Sequence, residues 1–131
     1  MLKYILLLIL SNGFLIGQSQ TDFTAEIDSL RQDLKKELKP IGRITRNLKL
    51  VSRYKYSHPD VDSLIESSLK LAEEKNLKFF IARSLRFRAR YKIYINTPKE
   101  EIFADIQRIE AIGKTLPNKL IPIWVLSLIH I

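Results

Sequence analysis

A twelve-residue segment of this chain occurs twice. Residues 44–55, Ile-Thr-Arg-Asn-Leu-Lys-Leu-Val-Ser-Arg-Tyr-Lys, return 37 positions later at 81–92 as Ile-Ala-Arg-Ser-Leu-Arg-Phe-Arg-Ala-Arg-Tyr-Lys, with six positions identical. Five more exchange like for like (Thr45 with Ala82, Asn47 with Ser84, Lys49 with Arg86, Leu50 with Phe87, Ser52 with Ala89), and only Val51 against Arg88 breaks the pattern. A period of about 20 to 50 residues marks stacked supersecondary units, each too small to bury its own apolar face. The duplication therefore confines the chain to a repeat architecture and points to a binding scaffold rather than to a particular reaction.

Apolar periodicity says what is repeated. Phe23, Ile27, Leu30, Leu34 and Leu38 recur at helical spacing, with Asp22, Glu26 and Asp28 early and Lys35, Lys36 and Lys39 late, as the helix dipole favours. Pro40 disfavours helical geometry at Lys39 and is expected to end this helix. Residues 44–55 form the next, and Ser57-His58-Pro59-Asp60 is a turn into a third that carries Val61, Leu64, Ile65, Ser68, Leu71 and Ala72 on one face. Another runs from Lys78 to Ile95 and closes at Asn96-Thr97-Pro98; one more runs from about Lys99 to Gly113 and is broken by Leu116-Pro117-Asn118. No segment alternates like a strand, so the expected fold is all-α, with antiparallel helix pairs stacked as a short α-solenoid. The second helices align best at an offset of 38, pairing Leu64 with Ile102, Ile65 with Phe103, Ser68 with Ile106 and Leu71 with Ile109. Residues 120–131 read as a third first-helix, Trp124 lying 39 after Leu85, with no partner helix following; Ile121, Ile123, Trp124, Leu126 and Ile129 are expected to lie uncovered, and the chain is expected to be a fragment of a longer protein.

The stretch 60–89 resembles the tetratricopeptide repeat (TPR) family: Ser67-Ser68-Leu69-Lys70-Leu71-Ala72-Glu73-Glu74-Lys75-Asn76 is similar to the end of a family second helix and Ile81-Ala82-Arg83-Ser84-Leu85 to the start of the following first helix. Leu85 and Leu48 take the large fourth position of the repeat, Ala89 and Ser52 the small eighth. Arg88 and Lys92 stand where Leu and Tyr are usual, and Val61 replaces a small residue. The likeness covers residues 40–131, and the long period together with the leader resembles the exported sensor-type repeats of bacterial signalling proteins. What it implies is a concave ligand face lined by the first helices, at Arg46, Lys49 and Arg53 in one repeat and Arg83, Arg86 and Arg90 in the next.

Those six residues group without the family as well. Spacings of three and four put each basic trio on one helical stripe. Two stripes on packed helices, roughly 8 to 10 Å apart, make a ladder able to grip an extended anion or a C-terminal carboxylate, for which Arg is suited through bidentate contacts. Tyr56 and Tyr94, near the stripe ends, are placed to pack on such a ligand. A solvated basic face is the plainer reading. Phe79, Phe80, Phe87, Tyr91 and Tyr94 form a broad aromatic face best explained by core packing.

The N-terminus sets the address. Lys3, the apolar run from Tyr4 to Leu10 and the small residues before Gln18 read as a signal peptide over residues 1–19, cut after Gly17 or Ser19, or else as an uncleaved anchor or a buried first helix. Residues 20–39 are then an N-terminal amphipathic helix and 40–131 the repeats, the last one incomplete. A net charge of +8, reduced by one when Lys3 leaves, suits a protein or peptide partner with acidic or C-terminal carboxylate groups in an exported, periplasmic or cell-envelope setting. Export argues against nucleic acid, which remains the partner under the alternative of a membrane-anchored basic helical protein. Cysteine is absent, and no metal or cofactor is expected. His58, His130 and the carboxylates Asp60, Asp62, Glu100 and Glu101 form no catalytic motif; the carboxylates are read as helix N-terminal charges, and no enzyme is expected.

Overall fold

The computed structural model describes residues 23–129, so the expected signal peptide with its expected cleavage sites, and His130, lie outside the described residues. Every regular element among the described residues is an α-helix. The chain divides into two compact units, 1–36 and 37–131. The first contains α1 (23–34), which stops short of its expected end: Lys35 and Lys36 form turns back to Gln32 and Asp33, and Leu38 falls in the extended link.

The second unit runs α2 (Pro40–Tyr54), α3 (Val61–Glu74), α4 (Lys78–Tyr94), α5 (Lys99–Gly113) and α6 (Leu120–Ile129). Pro40 opens α2 rather than only closing what precedes it; Lys39 is extended at φ −61°, ψ 151°, and the fixed φ of proline suits the first helical position. Asn76 and Asn96, both left-handed, end α3 and α4: Leu77 N–H donates to the Ala72 carbonyl at 2.9 Å, and Thr97 N–H to that of Lys92 at 2.9 Å. Asparagine tolerates this conformation where other residues resist it, so each helix stops on a tight reversal. The acidic residues sit as read, Asp62 in the first turn of α3 and Glu100 and Glu101 in that of α5.

Short reversals make consecutive helices pack, and in addition α2 meets α4 and α4 meets α6. The backbones of α3 and α5 stay apart, and an ion pair bridges them, Arg108 Nη1 donating to Glu73 Oε1 at 3.3 Å. One core joins all five helices through Leu48, Leu69, Leu85, Ile109 and Trp124; a smaller cluster of Val51, Val61 and Ile65 is flanked by Tyr54, Tyr56, Phe87 and Tyr91. Each large apolar side chain fully buried there contributes about 1.5 to 3 kcal/mol. Phe79 and Phe80 pack on the main core as expected, whereas Tyr94 is exposed.

The packing corrects the sequence register in two places. The second helices correspond at 37 residues, not 38: Ser68 with Asp105, Leu69 with Ile106 and Ala72 with Ile109 are all buried, while Phe103, matched by size to buried Ile65, is half exposed and takes the place of exposed Glu66. The same offset holds for α6. On α4, Phe87 and Tyr91 face the preceding pair through Val51, Val61 and Ile65; on α6 the residues turned back onto earlier helices include Trp124 and Leu128, which are 37 after those two. Trp124 therefore stands for Phe87, not Leu85. Ile121 and Trp124 are buried, against expectation, while Ile123, Leu126 and Ile129 are exposed as expected. The close approach of α5 to α6 needs Gly113, where an added Cβ would lie 2.7 Å from Ile121 Cγ2. Of the two small positions, Ala89 is buried but Ser52 is exposed.

The irregular position of the repeat, Val51 against Arg88, has a compensating change 17 residues further on. Arg88 donates through Nη2 and Nε to the two oxygens of Asp105, at 2.7 and 3.1 Å, and through Nη1 to Glu66 at 3.3 Å; Lys92 Nζ lies 3.0 Å from Asp105. The hydrogen bonds from Arg88 to Asp105, opposed by burial and helped by the charges of Asp105 and Glu66, hold this guanidinium above its ordinary pKa. In the preceding repeat Val51 packs with Val61 and Ile65, and Ser68, in the place of Asp105, donates to its own helix at the Leu64 carbonyl. An apolar contact in one repeat has become a buried ion pair in the next. Asp105→Ser alone should destabilise the fold by about 3 kcal/mol, because Arg88 and Lys92 lose their buried counter-charge. Adding Arg88→Val should recover most of that loss in urea unfolding, and strict additivity of the two changes would show the pair to be uncoupled.

Candidate functional site

The six basic residues divide between two helices. On α2, Arg46 Nη1 donates back to the Gly42 carbonyl at 3.1 Å, and Gly42 leaves the room for it, an added Cβ there falling 3.1 Å from the same nitrogen. Lys49 is exposed and Arg53, half-buried, closes the last turn of α2. On α4, Arg83, Arg86 and Arg90 are half-buried at successive turns. At an offset of 37 the corresponding places on α6 are Leu120, Ile123 and Ser127, so the ladder has two rungs and an apolar neighbour.

The arginines of α4 lie close enough to repel one another. The guanidinium of Arg86 is pushed below its ordinary pKa, first by burial, then by Arg90 and with a smaller share from Arg83, while Tyr56 pulls the other way. Its Nε is buried without a hydrogen-bond partner among the described residues. Its Cζ lies 5.1 Å from the centre of the Trp124 ring, a cation–π distance. Trp124 in turn leans on Phe79, with ring centres 5.5 Å apart.

Tyr56 links the two rungs. It follows α2 directly, and with Lys55 it adopts a left-handed backbone at φ 64° and 52°, a conformation costing roughly 1 to 2 kcal/mol for a residue with a side chain. That backbone carries the phenol to Arg90. Burial raises its pKa, opposed by the charge of Arg90, by a hydrogen bond with Arg90 and by Arg86. Tyr94 joins from the end of α4, its ring centre 6.3 Å from that of Tyr56. The result is a row of three guanidinium groups flanked by Tyr56 and Tyr94 at one end and by Trp124 beside the middle.

Trp124 is the member that sequence reasoning did not assign to the site. A single tryptophan on an otherwise aliphatic segment was its only signal. His58 is no part of it: its ring stacks on Tyr54 at 4.0 Å and its Nδ1 accepts the Asp60 N–H at 3.1 Å, which locks a turn. Among the described residues no three His, Cys, Asp or Glu side chains gather as metal ligands, and no helix is long and apolar enough to cross a membrane. No protein-family model matches this chain, and no match was found among curated proteins or solved structures.

A cation with a desolvated, unpaired nitrogen and like-charged neighbours costs stability that a ligand anion can return. Arg86→Met should therefore leave the fold as stable or raise its melting temperature by a few degrees, since removing the buried charge is offset only by the loss of a cation–π contact of about 0.5 to 1 kcal/mol, for which a sulfur–aromatic contact substitutes. Thermal unfolding followed by circular dichroism checks this; a clear drop in melting temperature would make Arg86 a structural residue.

Proposed function

We propose that residues 40–129 form a short TPR-like α-solenoid that binds an acidic or carboxylate-bearing protein or peptide on its first-helix face, as the sensory part of a longer exported signalling protein. The solenoid reading is supported by the order of contacts, in which each helix packs on the next and α2, α4 and α6 also meet in turn. The binding reading rests above all on Arg86, half-buried between Arg83 and Arg90 with its Nε unsatisfied. Anionic oxygens meeting this row would receive charge-assisted hydrogen bonds, each contributing about 1.5 to 3 kcal/mol, and would relieve the repulsion among the three cations. Tyr56, Tyr94 and Trp124 offer apolar walls for the rest of the chain. Arg53, Lys49 and Arg46 on α2 extend the positive field on the side away from α6.

Trp124 beneath Arg86 makes binding visible through intrinsic fluorescence, because the chain has one tryptophan. A peptide rich in Asp and Glu with a free C-terminal carboxylate should change that emission saturably, and added salt should weaken it. Arg53→Glu with Arg83→Glu, one change on each helix, should lower the affinity at least a hundredfold without altering helicity. Lys35→Glu with Lys36→Glu, the same change in net charge just after α1, should lower it only a few-fold. Equal losses in the two double variants would mean that net charge alone attracts the peptide, and the groove reading would fall.

A further inference from the structure

At an offset of 37 residues the basic ladder continues onto α6 without its charge. The track through Arg46 and Arg83 ends at Leu120, and the track through Lys49 and Arg86 ends at Ile123. Leu120 is 50% and Ile123 58% exposed. The third track, through Arg53 and Arg90, ends at Ser127, whose hydroxyl donates to the Trp124 carbonyl at 2.8 Å within its own helix. No residue of α6 is charged; Lys119, just before it, takes the place of Ala82, off the three tracks. Contacts show which side of α6 this is. Trp124 lies 5.1 Å from the Arg86 guanidinium and 5.5 Å from Phe79, and Phe79 precedes Arg83 by four residues on the same stripe of α4. Ile121 approaches Gly113 of α5, and Ile121 and Val125 line one groove with Glu110 and Lys114. At about 100° per residue, Ile121 and Val125 fall on one side of Trp124 and Leu120 and Ile123 on the other, which is the side of the arginine row.

We infer that the peptide bound on this face carries a bulky apolar side chain two residues away from an acidic one, the acid meeting Arg83 and Arg86 on α4 and the apolar side chain seating on Leu120 and Ile123 of α6. The inference rests on the anion-binding reading of the ladder and adds which side chain accompanies the acid, and where. Packed helices lie roughly 8 to 10 Å apart. In an extended chain, side chains two residues apart point the same way and stand about 6.5 Å from one another, a gap that long arginine and glutamate side chains close. A peptide crossing the tracks therefore presents, at every second residue, an acid to α2, an acid to α4 and an apolar group to α6. The residues between point away from the face. The apolar group removes the exposed surface of Leu120 and Ile123 from water, which is its source of affinity.

The probes are heptapeptides with acetylated and amidated ends, titrated into the full chain at physiological salt and followed through Trp124 emission. Leu-Ser-Glu-Ser-Glu-Ser-Leu, which fits in either chain direction, should bind about tenfold more tightly than Ser-Ser-Glu-Ser-Glu-Ser-Ser. It should also exceed Glu-Ser-Glu-Ser-Glu-Ser-Glu, although that peptide has two more charges. The isomer Ser-Leu-Glu-Ser-Glu-Leu-Ser turns its leucines to the other side and should gain less than about threefold. In the Leu120→Ser with Ile123→Ser variant, its helicity checked by circular dichroism, the tenfold ratio should shrink to below about threefold; the peptide isomers decide the matter if that variant does not fold. No gain from leucine, an equal gain in both isomers, tighter binding of the all-glutamate peptide, or a gain that survives in the folded double variant would each overturn the inference and leave the anion reading standing. That reading falls separately, if the leucine-free peptide binds the Arg53→Glu with Arg83→Glu variant as tightly as the parent chain. Absence of a leucine preference together with capture by phosphatidylglycerol vesicles that Leu120→Ser with Ile123→Ser abolishes would overturn the inference in favour of a membrane surface.

Discussion

One helix touches all the others of its unit, and it is the most basic. α4 packs against α2, α3, α5 and α6, yet it carries four arginines and two lysines and no acidic residue. A hub of this kind cannot be buried on every side as an ordinary amphipathic helix is, because each desolvated cation needs a counter-charge or a path to water. The fold divides the charge by direction. Arg88 and Lys92 point toward α5 and meet Asp105, and Arg83, Arg86 and Arg90 line the opposite stripe, where Trp124 lies beside Arg86 and Tyr56 bonds Arg90.

The two sides of α4 consequently differ in what they ask of the environment. The Asp105 side is complete within the molecule: the carboxylate is almost fully buried, two cations contact it, and Glu66 caps the outer edge of Arg88. The Arg86 side is incomplete, with an unsatisfied nitrogen and neighbours of like charge. Structural ion pairs and binding sites both perturb arginines, and what separates them here is that, among the described residues, a carboxylate meets Arg88 whereas Arg86 Nε has no hydrogen-bond partner. The strained backbone at Lys55 and Tyr56 belongs to the second side, since it is what delivers the Tyr56 phenol to Arg90.

Repetition with a single substitution runs through these sites. Val51, Arg88 and Val125 are successive copies of one position, and the partner copies Ser68 and Asp105 change with it. An exchange of this kind disfavours the second helices trading places, because α5 laid on α2 would meet Val51 where Asp105 has its bidentate partner Arg88. The charge pair therefore specifies order along the stack more than it adds stability, which a buried ion pair supplies poorly in any case.

The sequence by itself determined the helices and their ends. Pro40, Pro59, Pro98 and Pro117 and the asparagines at 76 and 96 act through local backbone sterics, so the helix boundaries were legible to within a few residues apart from the end of α1, and the duplication 44–55/81–92 gave the period and the two basic stripes. Burial around a helix was not legible. Phe103 and Ile65 are alike in size but face different media, and Trp124 could be matched to Leu85 until its contacts with Phe79 and Arg86 put it in the place of Phe87. Arg88 and Lys92 read as departures from a pattern because their counter-charge, Asp105, lies on another helix, and Arg86 became distinct from Arg83 and Arg90 only once packing had removed its water. Local sterics act between neighbours in the chain and leave their mark in the residue order; desolvation and charge pairing act between segments brought together in space, so only the tertiary structure decided them.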